Sequence, residues 1–132
     1  MIALDTNVLV RYLTQDDEPQ FRSILKMLST KGERFYLNDL VLAEADWVLR
    51  RLYDWTPQEV GESFGRLTTI HNLVFEDEIR VRSGLRALKE GADFADELIL
   101  RGSRDRGCRL LATFDKDVLR RHKSFAVHPS RI

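Results

Sequence analysis

The sequence predicts an α/β fold, a three-layer α/β/α sandwich with a central, mostly parallel sheet, on two observations. Short apolar runs alternate with longer stretches of helical periodicity, the pattern of parallel strands covered on both faces. No repeat, low-complexity tract or Pro/Gly/Ser linker interrupts the 132 residues, so 1–132 is read as a single domain, long enough to bury a core without disulfides.

In chain order, Ile2 to Leu4 is a short buried strand, and Asn7 to Leu13 a helix with Thr6 available as its cap. Asp17-Glu18-Pro19 starts a second helix, which runs to Gly32, because acids and proline are favoured in a first turn. Arg34 to Leu37 is strand two. Asn38 or Asp39 caps a third helix through Tyr53, and Thr56-Pro57 opens a fourth that ends near Thr69. Asn72 to Phe75 is strand three, followed by a helix from Asp77 to Glu90 with Gly91 beyond its end. Asp93 caps a sixth helix to about Arg106, Arg109 to Ala112 is strand four, a short helix runs toward His122, and Phe125 to Val127 is a fifth strand.

The composition, with 43% hydrophobic and 32% charged residues, is that of a globular chain. Lysine plus arginine equals aspartate plus glutamate at 21 each, which argues against a protein that grips nucleic acid by bulk positive charge and leaves local patches for that role. The only cysteine, Cys108, excludes an internal disulfide and favours a reducing compartment. With no leader pattern and no apolar run of membrane-spanning length, a cytoplasmic protein without membrane attachment is expected.

Four acids stand out against this frame. In parallel sheets the ligand crevice lies at the carboxyl ends of the strands, and Asp5, in MIALDTNVLV, sits at such an end between two apolar runs. Asp115 follows strand four at the same edge. Glu44 has Leu40, Val41, Trp47 and Val48 three and four residues away, so it is expected on an apolar helix face, and Asp96 has Ala92, Ile99 and Leu100 around it in the first turn of its helix. Asp46 is set aside as an exposed ion pair with Arg50, Glu97 as a first-turn acid, Asp93 as an N-cap and Asp117 as a cap or first-turn acid. Each of the four also has an ordinary role open to it: a cap for Asp5, a buried arginine for Glu44, a first turn for Asp96, a turn for Asp115. Taken together, those roles leave the placement of all four unexplained. Four converging carboxylates repel unless a cation neutralises them, and a hard divalent ion such as Mg2+ or Mn2+ suits both the carboxylates and phosphodiester hydrolysis.

The segments LDTNVLVRYL, LAEADWVLRRL, ADFADELIL and GCRLLATFDKD, in that order, closely resemble the PIN-domain nucleases, above all the VapC-type toxins of bacterial toxin-antitoxin pairs. The resemblance spans nearly the whole chain. It implies four acids at Asp5, Glu44, Asp96 and Asp115, with Asp5 and Asp96 as principal metal ligands and Asp93 as an alternative or assistant to Asp96. Thr6, Asn7 and Thr113 match polar residues that orient acids or water, and Asp117 is a further supporting candidate. It further implies a homodimeric endoribonuclease using Mg2+ or Mn2+, with RNA as substrate and a VapB-type antitoxin that covers the site. A catalytically silent RNA- or protein-binding module on the same fold is the alternative, and the presence of all four acids ranks it second. Arg101, Arg104, Arg106 and Arg109 are candidates for phosphate contacts or a solvated face, and Trp47, Tyr53 and Trp55 for a partner surface or for core.

Three other signals carry less. Gly61-Glu62-Ser63-Phe64-Gly65 matches a nucleophile elbow but lies in a helical pattern, where no strand precedes the serine. His71, His122 and His128 show no metal-ligand spacing and are expected in loops or at the surface, and Cys108 is expected as a buried or partly buried thiol. A phosphoacceptor receiver module would need a lysine after the last strand, and none is there.

Overall fold

The computed structural model describes residues 1–132. Five strands, β1 (Ile2–Ala3), β2 (Phe35–Leu37), β3 (Leu73–Phe75), β4 (Leu111–Ala112) and β5 (Ala126–Val127), alternate with seven helices, α1 (Thr6–Thr14), α2 (Glu18–Leu28), α3 (Asp39–Leu52), α4 (Pro57–Leu67), α5 (Glu78–Lys89), α6 (Phe94–Asp105) and α7 (Lys116–Arg121). Every strand pairing is parallel, as expected of the α/β class. The hydrogen-bonded sheet is in two pieces, however: β1-β2-β3 in that order, and β4-β5. No helix is long and apolar enough to cross a membrane.

Capping residues account for the helix starts. Asn38 accepts from Val41 N–H, Asp77 from Arg80 N–H, and Thr56 and Glu59 form a reciprocal capping box with Pro57 in the first turn. For α1, Thr6 is the first helical residue rather than the cap, and Asp5 takes the capping role that was also open to it, accepting from Val8 N–H at 3.0 Å. The GxSxG match lies wholly inside α4, where buried Ser63 accepts from Arg66, so no elbow exists.

The main core is a cluster of 19 buried side chains drawn from β2 and β3, from Leu4 just past β1, and from α1, α3, α4, α5 and α6. Phe64 and Phe94 meet edge to face at its centre, with ring centroids 5.6 Å apart. Tyr53 and Trp55 pack against this cluster, whereas Trp47 stands 53% exposed. A separate cluster of four, Leu100, Val118, Phe125 and Ala126, underlies β4, β5 and α7.

Arg80 ties the carboxyl edge of the larger sheet together. It donates to Asp39 at the start of α3, to Glu76 just past β3 and to Asp105 at the end of α6. These acids hold its guanidinium firmly protonated. Burial raises the Asp39 carboxyl above the usual range despite the arginine, and its second oxygen is buried without a partner.

Candidate functional site

β1 and β4 end just before Asp5 and Asp115, and α3 and α6 carry Glu44 and Asp96. The acids fall into two groups. In the first, Thr6 at the head of α1 donates its hydroxyl to Glu44 Oε2 at 3.3 Å, which joins the residue after Asp5 to the acid on α3. In the second, Asp96 is half-buried, and its carboxylate accepts no hydrogen bond. Burial, followed by the charges of Asp93, Asp115, Glu97 and Asp117, pushes its pKa up to about 6. The helix dipole, which favours an anion at this position, is outweighed.

Capping and availability coexist in this site. Asp5 spends only Oδ1 on Val8, and Asp115 only Oδ1 on the N–H groups of Asp117 and Val118. Each carboxylate is thereby fixed by backbone donors while its Oδ2 is left unbonded. Thr113 accepts the Asp115 N–H at 3.0 Å and so steadies that turn. Asp93 differs, because its Oδ1 caps α6 and its Oδ2 meets Arg50 at 3.4 Å. Asp117 is the acid most fully answered by cations: Arg120 and Arg121 both pair with it and hold its carboxyl below the ordinary range. Asn7 makes no side-chain hydrogen bond to any acid; it lines a groove between α1 and α2. No three of the His, Cys, Asp and Glu side chains stand close enough to form a ready ligand set, so the expected convergence of Asp5, Glu44, Asp96 and Asp115 is not seen.

Several expectations about orientation are corrected. Glu44 is exposed, as are Leu40 and Trp47 beside it at 68% and 53%, whereas Val41 is buried and Val48 half-buried, so the apolar stripe expected around Glu44 straddles the margin of the core and Glu44 lies on its outer side. Asp46, set aside as exposed, is fully buried at 0%, and Arg50 clasps both its oxygens at 2.8 and 2.9 Å. Glu97, expected as a first-turn acid, is one, but it is buried at 3% and meets His122 Nε2 at 2.7 Å, so His122, in the loop just past α7, is tied down. Cys108 is exposed rather than buried. Among the arginines, Arg101 pairs with Glu97 and Arg104 lies over the Phe125 ring at 4.6 Å, while Arg106 and Arg109 are exposed.

Two braces hold these elements: the expected Asp46–Arg50 pair, whose burial and reach to Asp93 the sequence did not show, and a Glu97–His122 pair that it did not show at all. Asp46 and Arg50 extend to Asp93 and bind α3 to the head of α6. Glu97 and His122 bind α6 to the end of α7, whose other end is Asp115. The signal for the first was present, because Leu42 and Leu49 flank Asp46 at helical spacing and are both fully buried.

Asp93, Asp115, Glu97 and Asp117 crowd the partly desolvated Asp96 with hard oxygen donors, a chemistry suited to a hard divalent ion, whereas Asp5 and Glu44 form the separate group joined through Thr6. Comparison with curated proteins gave no match. The PIN domain family matches residues 2–124, which take in all four predicted acids and every strand but the last. The match covers more than nine-tenths of the chain and agrees with its parallel α/β frame, and the chain accordingly belongs to the PIN domain family, whose members are generally nucleases.

Proposed function

We propose that the protein is a metal-dependent endoribonuclease acting as the toxin of a VapC-type toxin-antitoxin pair. The observation that carries the reading is Asp96, a half-buried carboxyl with no hydrogen-bond partner, crowded by Asp93, Asp115, Glu97 and Asp117 until its pKa rises to about 6. Such crowding costs stability, and a bound cation removes the cost. Asp5 and Asp96 are the principal ligands in this reading, and Glu44 and Asp115 complete the acidic set. A bound Mg2+ or Mn2+ would supply activation of water and stabilisation of the charge developing on phosphate.

The chain's own residues orient the donors. Thr6 holds Glu44, and Thr113 and the first-turn amides of α7 hold Asp115. Asp93 and Asp117 serve as supporting charges, since arginines already answer both. Exposed Leu40 and Trp47 on α3 offer apolar surface for a second copy or an antitoxin.

The test is cleavage of total RNA by wild type and by Asp96→Asn, each with Mg2+, with Mn2+ and with EDTA. The expected result is cutting by wild type alone, and only with metal. Wild type that binds RNA but never cuts it, as Asp96→Asn would, refutes the nuclease reading and favours the silent module.

A further inference from the structure

A groove of about 440 Å3 opens between α1 and α2, and Asp5 lines it, so it is continuous with the acidic edge. Only Val8 and Ile24 among its eight lining residues are hydrophobic. Asn7, Gln20 and Ser23 are exposed along it, and the side-chain amides of Asn7 and Gln20 have no partner within the protein. Both amides can donate and accept.

Arg11 on the same wall is held in place. Gln15 takes a left-handed conformation at φ 55°, which turns the chain so that Asp16 reaches back. Arg11 Nη1 then donates to both Asp16 oxygens at 2.9 Å and to the Tyr53 hydroxyl at 3.0 Å. Tyr53 and Thr14 in turn donate to Asp16. Nη1 alone carries these bonds, leaving Nε and Nη2 unengaged on a guanidinium whose position is fixed. A fixed guanidinium with spare N–H groups is a phosphate contact that costs little ordering.

We infer that this groove receives the unpaired RNA strand beside the scissile phosphate, with Arg11 on a backbone phosphate and Asn7, Gln20 and Ser23 on base or sugar edges, and that it sets the choice of cleavage site. The inference rests on the nuclease reading above. Unpaired RNA is the occupant because its base edges are open to amide and hydroxyl groups, and because the groove meets the acids at Asp5. A peptide helix would need a row of apolar anchors, which two aliphatic side chains do not provide.

The test compares wild type with Gln20→Ala/Ser23→Ala and with Arg11→Gln, by sequencing the ends produced from total RNA. The same changes in the Asp96→Asn background are compared by fluorescence anisotropy on a labelled, unpaired RNA of mixed sequence. The double variant changes only exposed side chains and leaves the Asp17 cap on the Gln20 amide intact. Expected are an altered base preference at the cut for the double variant, and for Arg11→Gln a loss of affinity of about fivefold or more on all sequences with a shallower salt dependence. If wild type cuts and both variants keep its cut sites and affinity, the groove takes a peptide or nothing and this inference falls alone. If wild type neither cuts nor binds, the nuclease reading falls and takes this inference with it.

Discussion

Asp96 concentrates the electrostatic strain of the site, and its linkage to stability has a definite sign. Its folded pKa, about 6, lies above its ordinary 3.8, so the folded protein holds this proton longer than the unfolded chain does. The resulting penalty is absent below about pH 3.8, grows between there and 6, and is complete above. Thermal unfolding in EDTA should therefore show Asp96→Asn gaining on wild type as pH rises through this window, with no difference at its acid end. Mn2+ should raise the melting temperature of wild type and not of the variant. A gap between the two that does not change with pH would remove the crowding argument. The first-turn position of Asp96 was legible because it is local, and its half-burial follows from Ala92 and Leu100, which are buried, although Ile99, expected on the same inward face, is 57% exposed. Glu44 and Asp46 were not sorted correctly, because α3 is apolar on most of its circumference and periodicity alone does not say which face is covered.

Helix boundaries were more legible than helix faces, for the same physical reason. Caps depend on neighbours three residues away, so Asn38, Thr56, Asp77 and Asp93 announce their helices in the sequence. Besides the Leu100–Val118 packing, α6 is tied to α7 by a pairing of residues 97 and 122, which no local pattern reveals. Glu97 has a side chain 4% exposed against 17% for His122, and its second oxygen is buried without a hydrogen bond although Arg101 lies 3.4 Å away. Removing one member leaves the other without its hydrogen-bond partner in a largely desolvated place, at a cost of about 1–3 kcal/mol. Urea unfolding of Glu97→Ala should show that loss. The double variant Glu97→Leu/His122→Leu should lose less, since it strands neither partner, and Arg101, 34% exposed, can turn to solvent. A single variant as stable as wild type would mean that the pair carries no net stabilisation and that α7 is held by its apolar contacts alone.

Over the whole molecule, the alternating pattern sufficed for the parallel α/β class, but not for the division of the ladder, which depends on hydrogen bonds between strands distant in sequence. The division has a dynamic consequence. β2 and β3, with the helices around them, contribute to a core of 19 buried residues, whereas β4 and β5 rest on four. Opening free energies fall with the apolar contacts an element must break, so the unit of β4, α7 and β5 opens at lower cost than the rest. Asp115 heads α7 in that unit, while Asp5 and Glu44 belong to α1 and α3, which pack in the larger core. The site therefore joins a firm half to a loose one. Amide exchange tests this directly: Leu111 and Thr113, bonded to the carbonyls of Phe125 and Val127, should exchange faster than Leu4 and Phe35, bonded to those of Tyr36 and Asn72. On the proposed metal-dependent reading, an ion held by Asp5 and Asp115 would bind the closed arrangement and not the open one, and Mn2+ should then slow exchange at Val118 and Leu119 more than at Phe35. Uniform exchange across both units would contradict the division, and equal slowing everywhere would place the ion's ligands within the larger core alone.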